Sequence, residues 1–145
     1  MQHYPVLQNI ENDINTVCIA AESFPDGVHD AHEKLHALLT QKANRIFYGI
    51  SHANDQGVTV YYAAASEIFE GEAASLNCKS FLIKKGIYSG VLLKDYYKDI
   101  PSVGRTFNDL LKDPRLDPKG FCLEIYRDGK DSRDLMCLVK LSDAF

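Results

Sequence analysis

The sequence predicts an α+β fold built from two modules related by a pseudo-twofold. Each module is strand, helix, strand, strand with an antiparallel sheet, and a ligand cleft lies between the modules. Three observations carry this expectation. The order of elements is the same in both halves of the chain. The spacing repeats as well, with roughly 20 residues from helix start to second strand and roughly 12 or 13 from second to third strand. Finally, each half supplies one apolar helical stripe, enough for one sheet face, so the other face of each half stays uncovered. Two such faces bury one another only in part, and the groove left between them suits a small molecule.

The elements follow in order. Residues 1–15 read as a loosely attached leader, with one helical turn around residues 6–10. Residues 16–23 (TVCIAAES) form a strand of small residues. Pro25-Asp26-Gly27 breaks the chain, and Asp26 is placed to cap the helix at 28–40. Its stripe is Val28, Ala31, Leu35, Leu38 and Leu39. Residues 46–51 (IFYGIS) are the second strand and 54–57 a hairpin turn. Residues 58–68 are the third strand, with Val58, Val60, Tyr62 and Ala64 on one face and Tyr61, Ala63 and Ala65 on the other.

A linker at 70–77 leads to a long strand at 80–93, where Gly86 and Gly90 mark a bend or bulge. Asp99-Ile100-Pro101 opens the second helix, with proline suited to its first turn and Val103, Phe107, Leu110 and Leu111 as its stripe. Residues 120–126 and 135–141 are the last two strands, joined by a turn at 128–131. The chain thus reads as one domain over 1–145, with leader 1–15, module one 16–70 and module two 78–143.

Composition narrows the function classes. Apolar content of 46% and charged content of 25% are ordinary for a soluble globular protein. The net charge is −4, from 16 basic and 20 acidic residues with no basic block, so direct nucleic-acid binding is not expected. No run approaches membrane-spanning length and no signal-peptide layout opens the chain, so a cytoplasmic protein is expected. Cys18, Cys78, Cys122 and Cys137 lie far apart in apolar runs and read as buried free thiols. Lys84-Lys85 and the Glu67/Glu70/Glu72 cluster read as solvated rims.

The strand at 121–126 carries the candidate site. With period two, Phe121, Leu123 and Ile125 point one way and Cys122, Glu124 and Tyr126 the other. If the first trio packs on the helix, Glu124 faces the other module. A carboxylate in a low-dielectric cleft seeks a cation, and rings beside it add cation–π attraction. Tyr48, Tyr62 and Tyr88 are the candidates to line the same space. A solvated strand face is the plain alternative.

These features resemble the GyrI-like small-molecule-binding domain, the effector-binding module of bacterial multidrug-responsive transcription regulators. Val60-Tyr61-Tyr62-Ala63-Ala64, Lys85-Gly86-Ile87-Tyr88 and Leu123-Glu124-Ile125-Tyr126 carry the resemblance, the last being similar to the family's glutamate-x-tyrosine signature. It spans roughly residues 16–141. It implies a central pocket whose glutamate, here Glu124, neutralises cationic and often aromatic compounds, with Tyr126, Tyr62 and Tyr88 at matching positions. The chain departs from the family in having Lys84-Lys85-Gly86 where proline-alanine-glycine is common. No helix-turn-helix precedes Thr16, so a stand-alone sensor or sequestering protein is expected, with no inherited DNA binding. Some stand-alone relatives are held to bind and inhibit DNA gyrase, which leaves a protein partner open, and others to hydrolyse electrophilic small molecules; neither activity follows from fold alone.

Rival chemistry is weaker. His32-Glu33-Lys34-Leu35-His36 matches H-E-x-x-H, and His29 adds a third imidazole. These histidines fall at the edge of the helical stripe rather than in a walled cleft, and no third-ligand motif follows, so no metal, cofactor or zinc peptidase is expected. Ser51-His52 diverge at a strand end, and no G-x-S-x-G occurs. A non-enzyme is expected. The alternative is a small hydrolase with Glu124 as general base.

Overall fold

The computed structural model describes residues 4–127 and 132–143; the turn expected at 128–131 lies outside the described residues. Eight strands form one sheet, every neighbouring pair antiparallel: β1 (Val6–Ile10), β2 (Ile14–Ala20), β3 (Phe47–Ala53), β4 (Thr59–Ser66), β5 (Lys79–Ile83), β6 (Gly86–Leu93), β7 (Cys122–Tyr126) and β8 (Leu135–Lys140). The helices among the described residues are α1 (Val28–Leu38), the single turn α2 (Glu72–Ser75) and α3 (Pro101–Leu110), with a 3-10 turn at Tyr96–Lys98.

The sheet order is β1-β6-β8-β7-β3-β4-β2-β5. Read outward from its centre, β3-β4-β2 on one side mirrors β7-β8-β6 on the other. Each triplet carries one helix, α1 over β2 and β4, and α3 over β6 and β8. The fold is therefore α+β with two pseudo-twofold-related strand-helix-strand-strand modules. They join edge to edge through β3 and β7, where Gly49 stands opposite Glu124.

The outermost strands correct two expectations. Residues 6–10 form a strand, not a helical turn. That strand is no loose leader: β1 pairs with β6, Gln8 opposite Tyr88. The long strand expected at 80–93 is two strands, broken where Gly86 takes φ +140°, a conformation open to glycine. β1 sits at one sheet edge yet runs straight into β2 near the other, and β5 runs likewise into β6. Both connections are short, so the edges must approach and the sheet curls into a half-barrel.

Curling disposes of the face that was expected to stay open. Tyr48, Ile50, Ile83, Tyr88, Leu123 and Leu138 fill the inside of the curl, all essentially withdrawn from solvent. The helix-bearing face carries two smaller cores. Val17, Phe47, Ala63 and Ala65 pack on Ala31, Leu35 and Leu39 of the α1 segment; Val91, Leu135, Cys137 and Val139 pack with Leu110 of α3. The stripe residues Ala31 and Leu35 are buried as their spacing requires, whereas Leu111 is exposed. Asp26 does not cap α1; Gly27 occupies that position with no side-chain bond.

Nor is Glu72 solvated. It is 5% exposed and takes two bonds from Arg45, Nη1 to Oε1 at 2.7 Å and Nη2 to Oε2 at 2.5 Å. The guanidinium holds its carboxyl below the usual range. This bidentate pair pins α2 to the segment entering β3. All four cysteines are free, Cys18 and Cys137 buried, Cys78 and Cys122 half-buried. No helix among the described residues is long and apolar enough to cross a membrane.

Candidate functional site

Each helix covers mainly the outer strands of its own module and leaves much of the central pair β3–β7 uncovered between them. The result is a cavity of about 1190 Å³ with β3 and β7 as its floor. One wall is α1, through His29, His32, Glu33 and His36; the other is α3, through Pro101, Gly104, Phe107 and Asn108. Phe24 and Tyr96, each in the segment leading to its module's helix, also line the cavity. The volume matches sites that enclose a drug-sized compound, about 300–1,000 Å³, with room to spare.

Glu124 lies at the centre of the floor. Oε1 accepts the Tyr61 hydroxyl at 2.6 Å and the Tyr126 hydroxyl at 2.8 Å. Tyr61 sits on β4 and Glu124 on β7, with β3 between them. Strands in a sheet are about 4.8 Å apart, so the tyrosine must reach across a whole strand. Gly49 lets it through. A Cβ built there would overlap both Glu124 Oε1 and the Tyr61 hydroxyl, and would sit 2.8 Å from Tyr61 Cζ. The glycine in IFYGIS is thus the floor's clearance.

The hydrogen-bond chain continues outward. His32 Nε2 lies 2.8 Å from the Tyr61 hydroxyl, and its ring meets Tyr126 edge-on at 5.2 Å. Phe24 stacks on Tyr61 at 5.8 Å, 25° from parallel. Tyr96 meets Tyr126 edge-on at 6.1 Å. The carboxyl is ringed by aromatic groups from both modules.

Electrostatics follow from this enclosure. Burial raises the Glu124 pKa, and the two tyrosine bonds act against that rise. Burial likewise pushes His32 down to about 4, helped by His36 and His29, so its imidazole is neutral near pH 7. Burial and the neighbouring carboxylate hold Tyr61 and Tyr126 well above the ordinary phenol range. Cys122, on the same floor, is pushed up to about 11 by burial, which leaves it a thiol. No lysine or arginine pairs with Glu124 among the described residues. The cavity floor therefore presents the Glu124 carboxyl among aromatic groups, with no lysine or arginine paired to it.

Of the residues expected to share one space, the structure brings Glu124 and Tyr126 together and sends the other three elsewhere. Tyr48 and Tyr88 are buried inside the curl, and half-buried Tyr62 packs against the same core. The reason is register. Tyr48 stands opposite Ile125, so it shares the face of Ile125 and not that of Glu124. The face assignment is corrected too: Leu123 packs inside the curl, while Glu124 is on the helix-bearing face. Tyr61 and His32 take the vacant roles. The parity of β4 had already separated Tyr61 from Tyr62; what was missing was the strand order that aligns it with Glu124.

The H-E-x-x-H pattern is dispersed. His32 bonds Tyr61, His36 stacks on Phe47 at 4.3 Å, and His29 pairs with Glu33 at 3.0 Å. Among the described residues no three ligand-type side chains converge as a metal would need. Ser51 and His52 form no nucleophile–base pair; His52 packs near Tyr62 and Phe81.

No protein-family model matches this sequence, and no curated protein does. Solved structures do match. SAV2435 bound to tetraphenylphosphonium is 13% identical with a TM-score of 0.65, over 99% of this chain and 96% of that one. The EcmrR C-terminal domain is 15% identical with a TM-score of 0.61, over 97% of each chain. A hydrolase from Listeria innocua is 9% identical with a TM-score of 0.58, over 95% of this chain and 91% of that one. At such identities the likeness is one of fold.

Proposed function

We propose that this chain, which has the GyrI-like fold, is a cytoplasmic binding protein for small cationic aromatic molecules, acting as a sensor or a sequestering module. The observation that carries the reading is the unpaired Glu124 carboxyl under an aromatic-walled cavity large enough for such a guest. A guest cation supplies the countercharge the protein leaves out, and desolvation strengthens that attraction. Tyr61, Tyr126, Tyr96 and Phe24 give its rings and charge aromatic surface on both sides. A protein of the same fold holding tetraphenylphosphonium supports the choice of guest class.

Isothermal titration with tetraphenylphosphonium tests the reading. Glu124→Gln keeps the shape and removes the charge, and is expected to weaken binding by about 1.5–3 kcal/mol, the worth of a charge-assisted contact, or roughly 10- to 150-fold. Equal affinity in wild type and variant would falsify the role given to Glu124.

One observation favours a second reading. A carboxylate of raised pKa beside two tyrosine hydroxyls has the make-up of a general base, and a hydrolase shares the fold. Glu124 would take a proton from a bound water as that water attacks an ester-like carbonyl. Turnover of a chromogenic ester that vanishes in Glu124→Gln would support this activity, and no turnover above buffer would dismiss it.

A further inference from the structure

The cation-binding reading gives no part to the histidines of α1, yet His32 reaches the site. Counting hydrogens fixes its role. A carboxylate only accepts, and Tyr61 has a single hydroxyl hydrogen, which lies on Glu124 Oε1 at 2.6 Å. The 2.8 Å contact between His32 Nε2 and the Tyr61 oxygen must then be donated by the imidazole. The Tyr126 hydrogen is also committed to Oε1. The imidazole donates to Tyr61, and both tyrosine hydroxyls donate to one carboxylate oxygen.

We propose that His32 is a positioning residue: its Nε2–H holds the Tyr61 hydroxyl turned onto Glu124 Oε1, so that the centre of the floor offers a guest the Oε2 acceptor and neither tyrosine hydroxyl as a donor. The inference rests on the cation-binding reading for its purpose, not for its geometry. In the other tautomer, the Nε2 lone pair would compete for the Tyr61 hydrogen, and Glu124 would lose one of its two donors. With both tyrosine hydrogens committed to Oε1, neither hydroxyl beside Glu124 can donate to an anion or a carbonyl. The centre of the floor selects guests that bring positive charge or a donor.

A neutral imidazole is needed for this, since an imidazolium beside Glu124 would itself act as the countercharge. The titratable groups around His32 are His29 and His36 on its own helix, Tyr61 from β4, and Tyr126 and Glu124 from β7. Both histidines and the burial disfavour its protonation. The first histidine of an apparent zinc motif thereby becomes the outer link of a hydrogen-bond chain.

Side-chain ¹⁵N NMR of the unliganded protein should show His32 as the Nε2–H tautomer. Titration of the Glu124 carboxyl by ¹³C NMR should give a higher midpoint in His32→Leu, because Tyr61 is no longer held to the charged form. His32→Gln, whose amide nitrogen reaches the place of Nε2, should restore it. Tetraphenylphosphonium affinity should fall about fivefold in His32→Leu, the worth of one hydrogen bond, and return to within about twofold in His32→Gln. An Nδ1–H tautomer, or a Glu124 midpoint unmoved in His32→Leu, overturns the inference. If the tautomer and midpoint behave as expected but wild type binds no cation, the cation reading falls and the positioning role stands. Should His32→Leu not fold, the wild-type tautomer and the His32→Gln midpoint decide the matter.

Discussion

Gly49→Ala is the change that tests the floor most directly. The backbone at Gly49 is not in the left-handed region, so alanine is sterically acceptable to the strand itself. The obstacle is what lies above. The new methyl would occupy the place where the Tyr61 hydroxyl and Glu124 Oε1 meet, with Tyr61 Cζ only 2.8 Å away. The nearest atoms belong to a ring in contact with Phe24 and His32 and to a carboxyl tied to two hydroxyls, so neither yields freely. Forcing a methyl into such a place costs about 1–3 kcal/mol. Parting the Tyr61–Glu124 bond, which is charge-assisted, costs about 1.5–3 kcal/mol more. Reduced freedom of the unfolded chain returns about 0.4–1 kcal/mol. The net expectation is a loss of about 2–5 kcal/mol, a large share of the 5–15 kcal/mol typical of a domain.

Urea unfolding reads this as a lower midpoint at unchanged slope. Gly104→Ala is the control. It sits on α3 at the cavity wall, nothing lies within 4 Å of its added Cβ, and it should stabilise by about 0.5–1 kcal/mol as a helical glycine replaced. The floor-breaking variant should also lose at least about tenfold in tetraphenylphosphonium affinity, because the carboxyl it displaces is the countercharge. A Gly49→Ala protein that unfolds within about 0.5 kcal/mol of wild type, and binds the cation as tightly, would mean that Tyr61 and Glu124 do not meet over this glycine.

Three further outcomes are expected. Because burial raises the Glu124 pKa in the folded state, the native protein holds that proton more tightly than the unfolded chain, and wild-type stability falls as pH rises from the ordinary carboxyl value through the raised one. Glu124→Gln lacks this loss, so in urea unfolding its stability relative to wild type should rise as pH climbs from the ordinary carboxyl value; a difference between the two proteins that does not change with pH contradicts the burial argument. Phe24, 48% exposed and stacked on Tyr61, should contribute to the guest more than to the fold: Phe24→Ala is expected to cost about 0.5–1.5 kcal/mol of cation affinity by calorimetry, with a smaller stability change. Tyr88 donates to the Lys84 carbonyl inside the curl, so Tyr88→Phe should cost about 1 kcal/mol of stability and leave affinity unchanged; weaker binding would return that tyrosine to the site.

The alternation of Cys122, Glu124 and Tyr126 against Leu123 and Ile125 was legible because side-chain parity is a property of the strand alone. The same parity put Tyr61 with Ala63 and Ala65, which are indeed its companions on the helix-bearing face. Parity cannot say which strands are neighbours or how they align. Choosing Tyr48 and Tyr62 as companions of Glu124 required a register, and a slip of one residue exchanges every side chain between faces. The misplaced face of the cleft had a different cause. One helix per module was read as covering one whole face and leaving the other free. The half-barrel is closed instead by β1 and β5, the two strands outside the repeat, whose cross-pairing with β6 and β2 is long-range and leaves no local signature.

That closure also explains why the carboxyl can be tolerated on the helix side. Inside the curl, Leu123 and Tyr88 belong to a core filled by buried side chains from seven strands, and an acid there would have neither partner nor room. On the helix side, two helices of modest length sit over β2–β4 and β6–β8, and nothing requires them to meet above β3–β7. The pseudo-twofold therefore produces a gap at its own axis as a consequence of packing. A glycine on one central strand and a glutamate opposite it on the other break the symmetry at that axis. The cavity comes from the repeat; the charge in it comes from one module alone, which places Glu124 where the other has Gly49.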